Sequence, residues 1–369
     1  MAHAISLLCF DRNLQMGTTE KQNEVYLEPE YAADLASIRK ARKRIETFID
    51  TTPVLKSSFI DELSGRKLFF KAENFQKGGA FKIRGACNAV FSLPDEVAKR
   101  GILTHSSGNH AAAVALAAKL RDIPAHIVIP KNAPQCKIDN VNQYGGRIVW
   151  ADSSIESREA IAAKVQEETG AVMIHPFNDG NVISGQGTIA LEFLEQVPEL
   201  EAIVVPISGM RWLELKYMTF CGGGLISGIA LGAKGIKPTI KIFGAEPYGA
   251  SDAAQSKATN TIVRNVSPRT LADGLRAQLG DLTWPVIRDL VDDIIVVNDK
   301  DIVKGMKMLY ESLKIVVEPS GAIGLAAVLS KQSASHPDVA ECRSIGIVLS
   351  GGNVDLDPLW DYMNCACQT

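Results

Sequence analysis

Paired cysteines are missing from this sequence. Its seven cysteines (positions 9, 87, 136, 221, 342, 365 and 367) are scattered, odd in number, and form no C-x-x-C pair. That excludes a disulfide-stapled secreted scaffold and fits a reduced compartment such as the cytoplasm. Cys365-Ala366-Cys367 reads as part of a terminal tail rather than as a metal site. No apolar run approaches the ~20 residues needed to cross a bilayer. The apolar stretch 5–10 is too short for a secretory signal and lacks a basic flank. Neither sign of charge dominates: 39 Lys+Arg against 42 Asp+Glu leave a net charge of −3, which argues against a nucleic-acid or membrane partner. No fixed-period repeat is present. What remains is an ordinary globular composition, 46% hydrophobic and 22% charged over 369 residues, enough for one large or two mid-sized domains with a real core.

Residues 1–30 are polar and aperiodic and read as a disordered extension, with Met16 a possible second start. An amphipathic helix is expected over 31–48, stopped by Thr51-Thr52-Pro53. A short strand over 68–71 leads into Gly78-Gly79-Ala80-Phe81-Lys82, and Ile83, Ala86, Val90 and Phe91 then recur at helical spacing. From residue 101 strands and helices alternate: strands at 102–105, 126–129, 147–150, 172–175 and 202–206, helices at 110–120, 134–143, 156–168 and 187–196. The second half repeats the theme, with strands at 240–245, 294–297 and 345–349 and helices at 224–233, 299–313 and 321–329. Such alternation predicts an α/β architecture with largely parallel strands.

Five stretches carry chemistry. Lys82 follows paired glycines at a helix start, where desolvation and the helix dipole both disfavour the ammonium form, so its amine can condense with an aldehyde. The plain alternative is a solvated lysine beside a turn. His105-Ser106-Ser107-Gly108-Asn109-His110 lies between a strand and a helix, where amides, hydroxyls and an amide side chain suit a carboxylate or phenolate; a well-capped helix is the alternative. Gly222-Gly223-Gly224 after a strand is a candidate phosphate cradle, and Ser350-Gly351-Gly352-Asn353 repeats the pattern at another strand end. Glu246 to Asp252 gathers two carboxylates and turn carbonyls, an all-oxygen set suited to Mg²⁺ or Ca²⁺, though an isolated acidic turn is more often only solvated.

G-G-A-F-K-I-R-G-A, H-S-S-G-N-H, G-Q-G-T-I-A, A-E-P-x-x-A-x-D, E-P-S-G-A and L-S-G-G-N-V-D-L occur in this order. Together they resemble the fold-type II pyridoxal-phosphate enzymes, in the branch of serine racemases and serine/threonine dehydratases, over about residues 31–360. The resemblance implies a tryptophan synthase β-like fold of two open twisted, largely parallel sheets flanked by helices. It implies a large domain of 31–77 with 180–360, a small domain of 78–179, and a tail from 361 to 369. Lys82 matches the Schiff-base lysine and base on one face of the substrate, with Phe81 beside it; Ser107 matches the acid/base on the opposite face. Asn109 matches the partner of the ring's phenolic oxygen and Ser350 that of the pyridine nitrogen. Ser106, Ser107, Asn109, His110 and Arg158 match the substrate-carboxylate site. Ser208, Gly209, Gly222, Gly223, Gly224 and Leu225 match the phosphate loop. Glu246, the carbonyl of Ala250 and Asp252 match a Mg²⁺ or Ca²⁺ site, although Ser251 stands where some relatives carry another acid. The implied cofactor is pyridoxal 5'-phosphate, with ATP as a candidate activator. The implied activity is interconversion of L- and D-serine with elimination to pyruvate and ammonia, in a homodimer. A dehydratase without racemisation and a catalytically impaired homologue are the alternatives.

One segment departs from that pattern. Residues 210–222 put Trp212, Leu213, Leu215, Tyr217 and Phe220 into a strand-to-helix connection that is usually only about 2–6 residues long. Without them Ser208-Gly209 would run directly into Gly223-Gly224. The expectation is a chain that folds but binds its cofactor more weakly than a version lacking the insertion.

Overall fold

The computed structural model describes residues 31–133, 135–208, 222–263 and 269–355. The expected N-terminal extension, the 361–369 tail, Gly209 and the insertion up to Cys221 lie outside the described residues. The first helix is Leu35–Ile45, starting later than residue 31 because Asp34 and Ser37 cap it reciprocally: Asp34 Oδ1 accepts from the Ser37 amide at 2.6 Å and Ser37 Oγ from the Asp34 amide at 2.9 Å.

Ten strands follow among the described residues: β1 (Val54–Leu55), β2 (Lys67–Ala72), β3 (Ile102–Thr104), β4 (Ala125–Pro130), β5 (Arg147–Ala151), β6 (Val172–Met173), β7 (Ala202–Pro206), β8 (Lys241–Pro247), β9 (Asp293–Val297) and β10 (Ser344–Leu349). They form a six-stranded sheet of order β1-β2-β10-β7-β8-β9 and a four-stranded sheet of order β5-β4-β3-β6. Only the β1–β2 pair is antiparallel. In the larger sheet the two-residue period sorts side chains cleanly. Phe69, Ile203, Val205 and Val348 face Ile183, Phe193, Ile226 and Ile229; Leu68, Phe70, Val204, Ile345 and Ile347 face Ile302, Met306, Leu309 and Leu325. In the smaller sheet Ile102, Ile127 and Ile129 pack with Val114 and with Ile83 and Val90 of helix Lys82–Ser92.

The helix expected at 187–196 runs over Gly180–Gln196, its start set by Asp179, whose Oδ1 accepts from Asn181 and Val182. Its glycines are contact points. A Cβ at Gly185 would lie 2.6 Å from the Gly85 Cα of helix Lys82–Ser92, and a Cβ at Gly228 would lie 2.6 Å from the Gly187 amide. This one helix therefore touches both the lysine-bearing helix and the helix Gly224–Ile236, backbone against backbone.

Candidate active site

Gly78 and Gly79 take φ of 76° and 73°, a region open to glycine at little strain, and this turns the chain back beside the end of β10. A bridge pairs Ala80 with Gly351; the Phe81 amide donates to the Ser350 carbonyl at 3.1 Å and the Gly352 amide to the Gly79 carbonyl at 2.9 Å. Lys82 and Ser350, remote in sequence, become neighbours. Lys82 is 3% exposed, opens a helix that no side chain caps, and its Nζ donates to the Pro176 carbonyl at 2.9 Å.

Two residues on, Arg84, itself fully buried, ties the same helix turn into a buried knot. Its Nε and Nη2 reach Glu73 at 2.7 and 2.8 Å; Nη1 reaches Glu192 at 3.0 Å and Thr188 at 3.3 Å; and Nη2 also meets Glu192 at 3.2 Å. Lys71 of β2 closes the set on Glu192, with Thr52 hydrogen-bonded to both glutamates. Two cations and two anions balance, which a buried ionic cluster requires.

On the opposing side the loop after β3 leads into helix Asn109–Arg121. Ser106 and Ser107 are buried there. Asn109 Nδ2 donates to both Glu318 oxygens, at 2.9 and 3.2 Å, and its Oδ1 accepts from Asn353 Nδ2 at 3.0 Å. His110 is buried, and burial first, then the Lys82 charge, holds its pKa well below the usual value. The neutral ring donates Nε2–H to the Ile174 carbonyl at 3.0 Å and leaves Nδ1 without a hydrogen-bond partner. His175 is held down to about 4, by burial and then by His105 and Lys82. Arg158 is buried on helix Ile155–Thr169, on the four-stranded sheet's side, near enough to His105 to depress it further.

Phe81, Lys82, Asn109, His110, Leu225 and Ser350 meet in one cleft, joined by Pro206 at the end of β7 and by Lys137, Asp273, Glu318 and Ser320. The cleft thus sits beyond the carboxyl ends of strands from both sheets, where ligands bind in parallel α/β folds. The helix opening at Gly224 has no side-chain cap; Gly223 before it has φ of 85°, and Leu225 in its first turn walls the cleft. An uncapped helix start whose first turn walls the cavity that holds a buried lysine fits a phosphate-bearing aldehyde. Ser208 Oγ is instead engaged with Ala277, donating to its carbonyl at 2.8 Å and accepting from its amide at 2.6 Å, while Gly222's carbonyl accepts from Thr283 Oγ1 at 2.8 Å.

Away from the cleft, the acidic turn proves to be a helix start. Glu246, at the end of β8, accepts from the amides of Ala253 and Ala254 at 2.9 and 2.8 Å and so caps helix Asp252–Thr259. Asp252 is buried with Oδ1 unpartnered, and Ala250, between the two acids in sequence, is buried as well. Burial lifts the Asp252 carboxyl to about 7; burial and then Asp252 push Glu246 well above the usual carboxylate range. Two buried acids with an orphaned oxygen fit an oxygen-ligated cation.

Sequence reasoning passed over Glu318, Asp273 and Lys137 as site residues. Glu318 stood inside the E-P-S-G-A motif, and an acid followed by Pro at a helix start was the one local signal for it. Lys137 and Asp273 form an ion pair across the cleft that no spacing announces.

A cleft built around a buried lysine and an uncapped helix start defines a lysine-anchored cofactor enzyme with an α/β fold. The model of the pyridoxal-phosphate dependent enzyme family matches residues 45–351, and the chain belongs to that family, with the fold-type II architecture. It is 60% identical over 331 residues to a serine racemase of Arabidopsis thaliana, covering 90% of this chain and 96% of that protein. The solved structure of maize serine racemase superposes with a TM-score of 0.85 at 60% identity, covering 92% of this chain and 99% of that one. A threonine deaminase of Solanum lycopersicum, in its processed form, gives a TM-score of 0.81 at 30% identity, covering 91% of this chain and 88% of that one.

Proposed function

We propose that this protein interconverts L- and D-serine and, as a second outlet, converts serine to pyruvate and ammonia. The observation that carries the reading is its likeness along most of its length to plant serine racemases, and the lysine buried in the cleft agrees with it. Pyridoxal 5'-phosphate, when bound, supplies an aldehyde for the substrate amine and a ring that accepts the charge left at the α-carbon. Lys82 holds that cofactor and takes the α-proton on one face. Ser107 moves a proton on the other. Ser106, Ser107, Asn109 and His110 hold the substrate carboxylate, with Arg158 supporting the loop. Asn109 would meet the phenolic oxygen, beside Phe81, while Gly209 and Gly222 to Leu225 would meet the phosphate, joined by the Ser208 amide because the Ser208 hydroxyl is already donated to Ala277. Ser350, a neutral partner for the pyridine nitrogen, leaves the ring a weaker electron sink than an aspartate would, so the proton's fate rests with the two flanking groups. Glu246, the Ala250 carbonyl and Asp252 bind Mg²⁺ or Ca²⁺. ATP activation, a homodimer, a cytoplasmic setting, and a division into a large domain (31–77 with 180–360) and a small one (78–179) complete the reading. Among the described residues no helix is long and apolar enough to cross a membrane.

Chiral product analysis with L-serine tests the reading: D-serine should accumulate alongside pyruvate. Lys82→Ala should abolish both reactions and the visible cofactor band. Ser107→Ala should lower racemisation by about 10²–10⁴-fold and elimination of L-serine far less. Pyruvate without any D-serine from the parent would leave a dehydratase, and equal small losses in Ser107→Ala would remove that residue's role.

A further inference from the structure

Glu318 occupies the position before helix Pro319–Val328, where a carboxylate ordinarily accepts from the helix amides. It makes no such bond. The side chain turns instead into the cleft, in a residue that is 5% exposed, and both oxygens meet the single nitrogen Nδ2 of Asn109 at 2.9 and 3.2 Å. The orientation of that amide is fixed from the far end. The Gly78 carbonyl can only accept, so the nitrogen of Asn353 must face it, at 2.7 Å. The same nitrogen donates to Asn109 Oδ1 at 3.0 Å, which turns Asn109 Nδ2 towards Glu318. A chain of hydrogen bonds thus runs from the lysine loop through two asparagines to one acid.

We propose that Glu318 is a positioning residue for the cofactor ring, setting through Asn109 the donor that meets the ring oxygen. The proposal rests on the reading of Asn109 as that oxygen's partner. The charged groups facing Glu318 are Asp273, Lys137 and Lys82; His110 in the same wall is neutral. Lys137 is itself paired with Asp273. Burial, then Asp273, raise the Glu318 carboxyl to about 8, against the opposing pull of Asn109, Lys137 and Lys82. At neutral pH the acid is protonated and holds the amide without adding charge. Above that pKa it becomes a carboxylate beside an anionic ring oxygen, and both of its oxygens compete for the Asn109 nitrogen.

The test is titration of pyridoxal 5'-phosphate into cofactor-free protein, read by visible absorbance and needing no substrate. Between about pH 7 and about pH 9 the parent's dissociation constant should rise more steeply than that of Glu318→Gln, an isostere of the neutral acid. The ratio of the two should widen by up to about tenfold per pH unit above the acid's pKa. In an Asn109→Ala background the same Glu318→Gln change should have no further effect. Parallel pH profiles for parent and Glu318→Gln, or an undiminished effect in the Asn109→Ala background, would overturn the proposal. Asn109→Ala protein with the parent's affinity at every pH would overturn it by removing the reading beneath it. A failed serine reaction would show in the products and leave these titrations unchanged.

Discussion

Asp252 and Glu246 are buried acids whose ionisation is opposed by the fold, a penalty that the proposed cation would relieve. Their carboxyls have pKa values raised in the folded protein, Asp252 from 3.8 to about 7 and Glu246 well above 4.5. A raised acid contributes stability that is complete below its unfolded pKa and is lost as pH rises through the folded one. Chelated protein should therefore lose stability progressively from about pH 4 to beyond about pH 7. If Mg²⁺ or Ca²⁺ binds the ionised pair as proposed, it should restore that stability increasingly over the same range. Melting temperatures with cation and with chelator should differ by several degrees at neutral pH and converge in acid. Asp252→Asn should shrink that gap, and a gap that ignores both pH and this substitution would place the cation elsewhere. Arg84 shows the other way to bury charge: its five donors all reach acceptors, so it needs no ligand.

Among the elements, helix Gly180–Gln196 governs the site without entering the cleft. A Cβ at Gly185 would meet the Arg84 carbonyl and the Gly85 Cα, both at 2.6 Å, so Gly185→Ala must push the lysine-bearing helix away. Overpacking of this kind costs about 1–3 kcal/mol. The folded variant should also hold pyridoxal phosphate more weakly, with a changed circular dichroism of the cofactor band. Gly305→Ala serves as comparison, because its Cβ would sit at an ordinary 3.4 Å and helix interiors favour alanine. If both variants keep the parent's cofactor band and affinity, the glycine contact is only packing. This helix also marks how far the sequence could be read. Ala202–Pro206 and Asp299–Leu313 are legible to the residue, because apolar periodicity and flanking breakers agree there. The first seven residues of Gly180–Gln196 were not, since glycine reads as a breaker unless the helix it must touch is known. Nor was the strand order, in which β10, last in sequence, lies between β2 and β7. The lysine and serine loops announced themselves by motif; Glu318's turn into the cleft depends on a partner 209 residues away.

At the scale of the whole molecule, the residue before the insertion's flank and the insertion's own last residue are fastened to one segment: Ser208 to Ala277, and Gly222 to Thr283. Lengthening a connection between fixed ends costs only about 0.6 kcal/mol per doubling. Protein lacking residues 210–222 should therefore melt close to the parent. It should bind pyridoxal phosphate more tightly, because Ser208-Gly209 then leads straight into the uncapped helix start. Equal cofactor affinity and turnover in the two proteins would show the insertion to be neutral for the site.

Helix Gly180–Gln196 lies between two others, touching one at Gly185 and the other at Gly187 with no side chain interposed. One of those neighbours begins at the lysine, the other at the glycine loop. On the proposed reading, the span from the anchoring amine to the phosphate would be gauged by the thickness of a bare polypeptide backbone, a length that no side-chain substitution can shorten. Changes in the cleft walls can retune which amino acid is accepted or which face of it reacts. An aldehyde with a longer or shorter arm to its phosphate would find the two ends of its berth set for a different molecule.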